Sequence, residues 1–265
     1  MWPLSGFTDE AAWSLTQQIA LARDAGLDGI ELRRAGGRPV VRWSRAAVLR
    51  ARAALADAGL QASCVATGIG KVGLGQPQRA RVAELDRAIR VAHAVGTPYV
   101  RVFSFRVPAG SENRHLTQAV DRLGELVRRA EQADVVLLHE NEKGIVGSSP
   151  ERCASLAAGI DSPHLRLILD PANFVQCGYR PASEAYPALA RWVSYLHVKD
   201  AVAATGRVVR AGEGDAEWPA LLAALRADSF VGTASVEPHL GLGGRGGPCR
   251  PRTWRSAVDA YRGLL

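Results

Sequence analysis

The chain has 265 residues, 47% of them hydrophobic, which is enough for a sizeable buried core and close to the usual length of one closed α/β barrel. Cys64, Cys153, Cys177 and Cys249 are scattered without CxxC spacing, which argues against a disulfide scaffold or a cysteine-rich zinc module. The net charge of +7 comes almost wholly from arginines dispersed without basic runs, Lys71, Lys143 and Lys199 being the only lysines, so a solvated surface is expected rather than a nucleic-acid partner. The N-terminal residues lack the charged and apolar regions of a secretory signal, and no apolar stretch approaches the roughly 18 residues of a membrane span. The expectation is a cytoplasmic protein with no membrane partner.

Along the chain, short apolar runs alternate with longer amphipathic segments. The first strand is expected at Trp2–Gly6, followed by a helix that Thr8-Asp9 can cap and Gly26 can end. The second spans Gly29–Arg33, and Ser44 and Gly59 bracket the helix after it. The third and fourth lie at Gln61–Thr67 and Tyr99–Ser104. Leu116, Val120, Leu123, Val127 and Ala130 then recur every three or four residues, the period of a helix face packed on a core. The fifth strand, Val135–Glu140, precedes a helix with Pro150 at its first position. The last three are expected at Leu165–Asp170, Val193–Val198 and Thr233–Glu237. The glycine-rich stretch Gly241-Leu-Gly-Gly-Arg-Gly-Gly-Pro after the eighth is expected to form a mobile loop over the site. Eight alternations in this length, with Leu4-Ser-Gly-Phe-Thr-Asp rather than GxGxxG after the first strand, favour a single-domain (β/α)₈ TIM barrel over an open nucleotide-binding sheet.

The chemistry is expected at the ends of strands five to eight, which finish in Glu140, Asp170, His197 and Glu237. Their spacing of about one βα unit would bring the four tips together on the C-terminal face of a barrel. Three carboxylates clustered without a cation repel one another at a cost of several kcal/mol, and a divalent metal resolves that. Three carboxylates with one imidazole form a hard, oxygen-rich set, suited first to Mn²⁺, with Mg²⁺ or Co²⁺ as alternatives, and unlike a structural zinc site. Glu140 and Glu237 can also each keep an oxygen free to move a proton. With a substrate carbonyl and hydroxyl on the metal, the adjacent C–H becomes acidic because the Lewis acid stabilises an enediolate; one glutamate takes the proton and the other returns it.

These residues, with Gly29-Ile-Glu-Leu, Glu140-Asn, Asp170-Pro-Ala-Asn, His197-Val-Lys-Asp, Gly212-Glu-Gly-Asp and Glu237-Pro-His, resemble the sugar phosphate isomerase/epimerase superfamily of xylose isomerase-like TIM barrels. The resemblance covers essentially the whole chain. It implies Glu140, Asp170, His197 and Glu237 as metal ligands and Glu140 and Glu237 as the acid–base pair of an isomerase or epimerase acting on a small sugar-like substrate. In the ketose 3-epimerases of this superfamily a substrate-binding histidine stands three residues after the aspartate ligand, where this chain has Asn173. The arginine that follows their ligand histidine has no match among Ala201 to Ala204.

Glu31, Asn173, Lys199 and His239 are further candidates for substrate contact, and Glu142 is an alternative to Glu140 as ligand. Arg101 and Arg106 bracket the fourth strand and are weighed as phosphate or carboxylate readers, while Trp2, Phe7 or Trp13 could supply an apolar wall. Three other readings stay open: a dehydratase of an inositol ketone, a DNA-repair AP endonuclease on the same fold, and a sugar-binding protein without turnover. The third strand ends Val65-Ala-Thr-Gly-Ile-Gly, lacking the histidine that the endonuclease would need. Pairing of two copies into a homodimer through the outer helices is also left open.

Overall fold

The structure, a computed structural model, describes residues 2–241 and 247–265, so most of the glycine-rich stretch expected over the site lies outside the described residues. Eight parallel strands form the barrel: β1 (Leu4–Gly6), β2 (Gly29–Leu32), β3 (Gln61–Ala66), β4 (Tyr99–Val102), β5 (Val136–Glu140), β6 (Leu165–Leu169), β7 (Val193–Val198) and β8 (Thr233–Val236). Each falls inside an expected strand, trimmed by a residue or two where ladder pairing gives way to loop hydrogen bonds. The ladder runs β1-β8-β7-β6-β5-β4-β3-β2. Asp28 stitches the remaining seam, its N–H donating to the Leu4 carbonyl at 2.8 Å and its Oδ2 accepting from the Leu4 N–H at 2.8 Å.

The outer layer comprises α1 (Leu15–Asp24), α2 (Arg45–Asp57), α3 (Gln78–Val95), α4 (Leu116–Glu131), α5 (Pro150–Ile160), the short α6 (Pro171–Gln176) and α7 (Tyr186–Leu189), α8 (Trp218–Ala227) and α9 (Pro251–Arg262). No helix among the described residues is long and apolar enough to cross a membrane. The cap of α1 is Ser14, which with Gln17 forms a reciprocal capping box, because Thr8–Glu10 is a separate 3₁₀ turn. The expected punctuation holds elsewhere. Ser44 accepts from the Ala47 N–H at the start of α2, and Ser149 caps α5 with Pro150 at its first position.

Side chains alternate across each strand, so one parity faces the helices and the other the barrel axis. The helix-facing set joins the large apolar layer around the sheet, while Cys64, Leu138, Ile168 and Tyr195 close a smaller cluster inside the barrel. Two residues on from Leu138, Ile168 and Tyr195 stand Glu140, Asp170 and His197. The same parity that buries an apolar layer therefore aims three polar groups into the space above it.

At the C-terminal rim, the loops after β3, β4 and β5 are sewn together by backbone bonds. Phe103 N–H donates to Ile69 O, Phe105 N–H to Gly70 O, Arg106 N–H to Val72 O, Leu74 N–H to Arg106 O, and Val146 N–H to Phe105 O. Gly70 has φ +89°, and a Cβ there would meet the Phe103 carbonyl oxygen at 2.1 Å, so only glycine permits this approach. Two small hairpins, Arg34–Ala35 with Arg38–Pro39 and Asp200–Val202 with Arg207–Val209, stand after β2 and β7.

Candidate active site

One ligand-capable atom from each of Glu140, Asp170, His197 and Glu237 falls in a group whose members all lie within 4.8 Å of one another. All four residues are buried, Glu237 being the most exposed at 3%. Their placement is built from local features. Asp170 directly follows β6 and caps α6, accepting from the Asn173 N–H at 2.9 Å through Oδ1, which leaves Oδ2 to face the cluster. Asn141 locks the neighbouring strand ends, donating to the Asp170 carbonyl and accepting from its N–H. Glu237 stands one residue past β8, where its N–H still donates to the Val198 carbonyl at 3.2 Å.

Neither ring nitrogen of His197 makes a hydrogen bond; Nδ1 faces Glu140, Glu237 and Asp170 oxygens at 3.4, 3.6 and 3.9 Å, and Nε2 faces Glu31 Oε2 at 3.3 Å. Burial alone would lower the pKa of this imidazole, but Glu140 and Glu31 outweigh it and raise it to about 10. The ring must hold either a proton or a metal ion between itself and the carboxylates. Two further cations share the work. The Lys199 ammonium lies 2.6 Å from Asp170 Oδ2 and 3.1 Å from Glu237 Oε2, and Arg101 Nη1 lies 3.0 Å from Glu140 Oε2 and 3.6 Å from Glu237 Oε1. Burial acts to discharge Lys199, but Asp170 and Glu237 prevail and hold it charged. Burial would likewise raise Glu140, but Arg101 and then His197 bring it down to about 2, and Lys199 with both histidines holds Glu237 well below its ordinary value.

Of the other sequence candidates, Lys199 and His239 stand beside the cluster and Asn173 and Glu31 behind it. His239 is partly exposed, with Nδ1 3.2 Å from Glu10 and 3.7 Å from Glu237. The Asn173 amide donates to Glu140 Oε1 at 3.3 Å and to the Asn141 carbonyl at 2.9 Å, which holds the Glu140 carboxylate in place. Glu31 is buried on the inner side of His197, its Oε2 3.3 Å from Nε2. Glu142 pairs instead with Lys71 at 2.9 Å, leaving Glu140 in the cluster.

Sequence reasoning missed what Arg101 binds. Its guanidinium meets the protein's own glutamates, between the rings of Phe7 and Phe103 at 5.2 and 5.1 Å. The inward parity it shares with Tyr99 was the available signal. Arg33, with its bidentate grip on Asp9 and contacts to Glu10 and Glu237, was not anticipated. Phe7 does wall the site, edge-on to His197 at 5.4 Å, whereas Trp2 bonds to the Phe230 carbonyl and Trp13 is 70% exposed beside Gly37.

A family model described as xylose isomerase-like TIM barrel matches residues 19–262. The chain belongs to that family. It is 31% identical over 210 residues to a 2-epi-5-epi-valiolone 7-phosphate 2-epimerase of an Actinoplanes species, covering 78% of this chain and 76% of the relative. The fold also superposes on the probable 3-DHS dehydratase of petrobactin synthesis from Bacillus anthracis, at TM-score 0.80 and 17% identity over 98% of each chain. A third likeness is to a xylose isomerase-like barrel from Mycobacterium smegmatis in complex with magnesium, at TM-score 0.74 and 16% identity over 100% of this chain and 98% of that one. Family and sequence relative together support an enzyme, with a function of epimerase or isomerase type.

Proposed function

We propose that the chain is a divalent-metal-dependent epimerase or isomerase of a small sugar-like hydroxy-ketone, with Glu140 and Glu237 exchanging the proton on the carbon beside the carbonyl. The observation that carries this reading is the pairing of two buried, ionised glutamates with a hydrogen-bond-free imidazole nitrogen aimed between them. The donor set suits Mn²⁺, Mg²⁺ or Co²⁺, because three carboxylates and one imidazole converge as a hard, oxygen-rich group. Such an ion, held by Glu140, Asp170, His197 and Glu237, supplies Lewis-acid polarisation of the substrate oxygens.

The protein's own groups do the rest. Arg101 keeps Glu140 ionised and Lys199 keeps Glu237 ionised, the state a base needs, and Arg101 lies against one oxygen of each. Asn173 fixes the rotation of Glu140 through its other oxygen. Lys199 and His239, both beside Glu237, are placed to donate to substrate oxygens on that side. The buried Phe7 ring packs edge-on to His197 and keeps water from that side of the cluster. The Actinoplanes relative, whose name describes a phosphorylated substrate, makes phosphorylated cyclic ketones the first compounds to try.

The test is solvent exchange. Protein loaded with Mn²⁺ and incubated in D₂O with a panel of ketoses, inositol ketones and their phosphates is expected to place deuterium at the carbon beside the carbonyl of at least one. Glu140→Gln and Glu237→Gln should each lower that exchange by about 10²–10⁴-fold. Exchange undiminished in both variants removes the two glutamates from the mechanism.

A further inference from the structure

We infer that Glu31 is the positioning residue for His197: it accepts the proton on Nε2 and so commits the ring to offer Nδ1 to the cation. The inference rests on the metal reading above. His197 is held from two sides, with Glu31 Oε2 3.3 Å from Nε2 and the other three carboxylates grouped around Nδ1. An imidazole in this setting has one tautomer that serves both sides, with hydrogen on Nε2 and a lone pair on Nδ1. An outer carboxylate that accepts from a ligand histidine fixes its orientation and raises its basicity.

Glu31 is itself held. Its Oε2 lies 3.1 Å from the Tyr195 hydroxyl, which is 2.9 Å from Ser63 Oγ, which in turn is 2.6 Å from Ser5 Oγ. Four strands contribute to this chain of contacts beneath the site: Ser5 from β1, Glu31 from β2, Ser63 from β3 and Tyr195 from β7. The β2–β3 register shifts between Ile30 and Glu31, locally breaking the regular pairing where the Glu31 side chain turns in toward the barrel axis. A fully buried carboxylate without a guanidinium or ammonium partner is costly, and His197 is the one titratable cation that touches it among the described residues. A carboxylate kept at that cost beneath a ligand points to a role toward the ligand rather than toward the fold.

The test titrates Co²⁺ into the metal-free full-length chain, following visible absorption and heat, in wild type, Glu31→Gln, Glu31→Leu and Tyr195→Phe. Wild type is expected to bind one ion. Glu31→Leu should bind 10–100-fold more weakly with an altered cobalt spectrum, while Glu31→Gln, whose amide oxygen still accepts from Nε2, recovers most of the affinity. Tyr195→Phe should fall between wild type and Glu31→Leu. Wild-type affinity and spectrum in Glu31→Leu overturn the inference and leave the metal reading intact, whereas failure of wild type to bind cobalt sinks the metal reading itself. Should Glu31→Leu not fold, ¹⁵N-histidine NMR of the zinc-loaded wild type decides: a proton on Nε2 supports the inference and a proton on Nδ1 overturns it.

Discussion

Lys199 is one of three lysines in a chain whose positive charge is otherwise arginine, and its ammonium is wedged between two of the clustered carboxylates. Removing a partner from a buried ion pair leaves uncompensated charge. Lys199→Met is therefore expected to destabilise the metal-free protein by about 3 kcal/mol in urea denaturation, with part of that loss recovered when Mn²⁺ is added. An unchanged midpoint without metal would show that Lys199 is not a counter-ion. At this scale the sequence was legible where a polar residue ends an otherwise apolar strand, as Glu140, Asp170, His197 and Glu237 do. Arg101 was obscured by the abundance of arginine. Glu31 was obscured by an irregularity in β2 that period-two reasoning does not contain.

Among the elements, the segments after β6 and β7 depend on single carboxylates. Glu217, in the left-handed region at φ 53° before α8, accepts from Arg180 and from the N–H groups of Ala182 and Ser183. Burial acts to raise its pKa, but those donors prevail and set it below the ordinary 4.5. A depressed folded-state value means that the stabilisation is complete above the unfolded value and is lost as pH falls through the folded one. Glu217→Gln should thus lower stability by about 1 kcal/mol at pH 7, a modest figure because solvent screens the arginine pair, and by much less near pH 3. Matching losses at both pH values would refute the ionic origin.

Asp200 anchors the hairpin after β7, accepting from the N–H groups of Ala201, Gly212, Gly214 and Ala216. Asp200→Ala strands those donors. It is expected to cost about 2–4 kcal/mol and to open residues 202–206 to limited proteolysis. A Cβ on Gly214 would meet the Asp200 carboxylate at 2.5 Å, so the Gly212-Glu-Gly-Asp turn is shaped around this one side chain. That motif was visible in the sequence, but its partner was not, since nothing in the spacing of Asp200 and the turn reports their contact. Helix faces and most caps were readable from period and capping residues; the first cap was misplaced because Thr8-Asp9 and Ser14 offer the same signal a turn and a half apart.

The whole molecule closes at a seam that leans on Asp28, whose backbone N–H and carboxylate both bond to Leu4 at the start of β1, the carboxylate bond being the one a substitution removes. Asp28→Ala should therefore lower global stability by about 1–2 kcal/mol and speed amide exchange in β1 and β2 before β5 and β6. Uniform exchange across the barrel would show that the seam is no weaker than the ladders. Barrel architecture itself was legible from eight alternations, because apolar β-branched runs and amphipathic segments report burial directly. The asymmetry of the mouth was not, since it arises from backbone contacts among loops. With the turns after β3, β4 and β5 sewn edge to edge, that arc behaves as a fixed jamb. The opposite arc is tied largely by side chains instead, Arg33 gripping Asp9 while Glu10 accepts from the His239 N–H, so single substitutions there can reshape the mouth where the backbone-sewn arc would not yield.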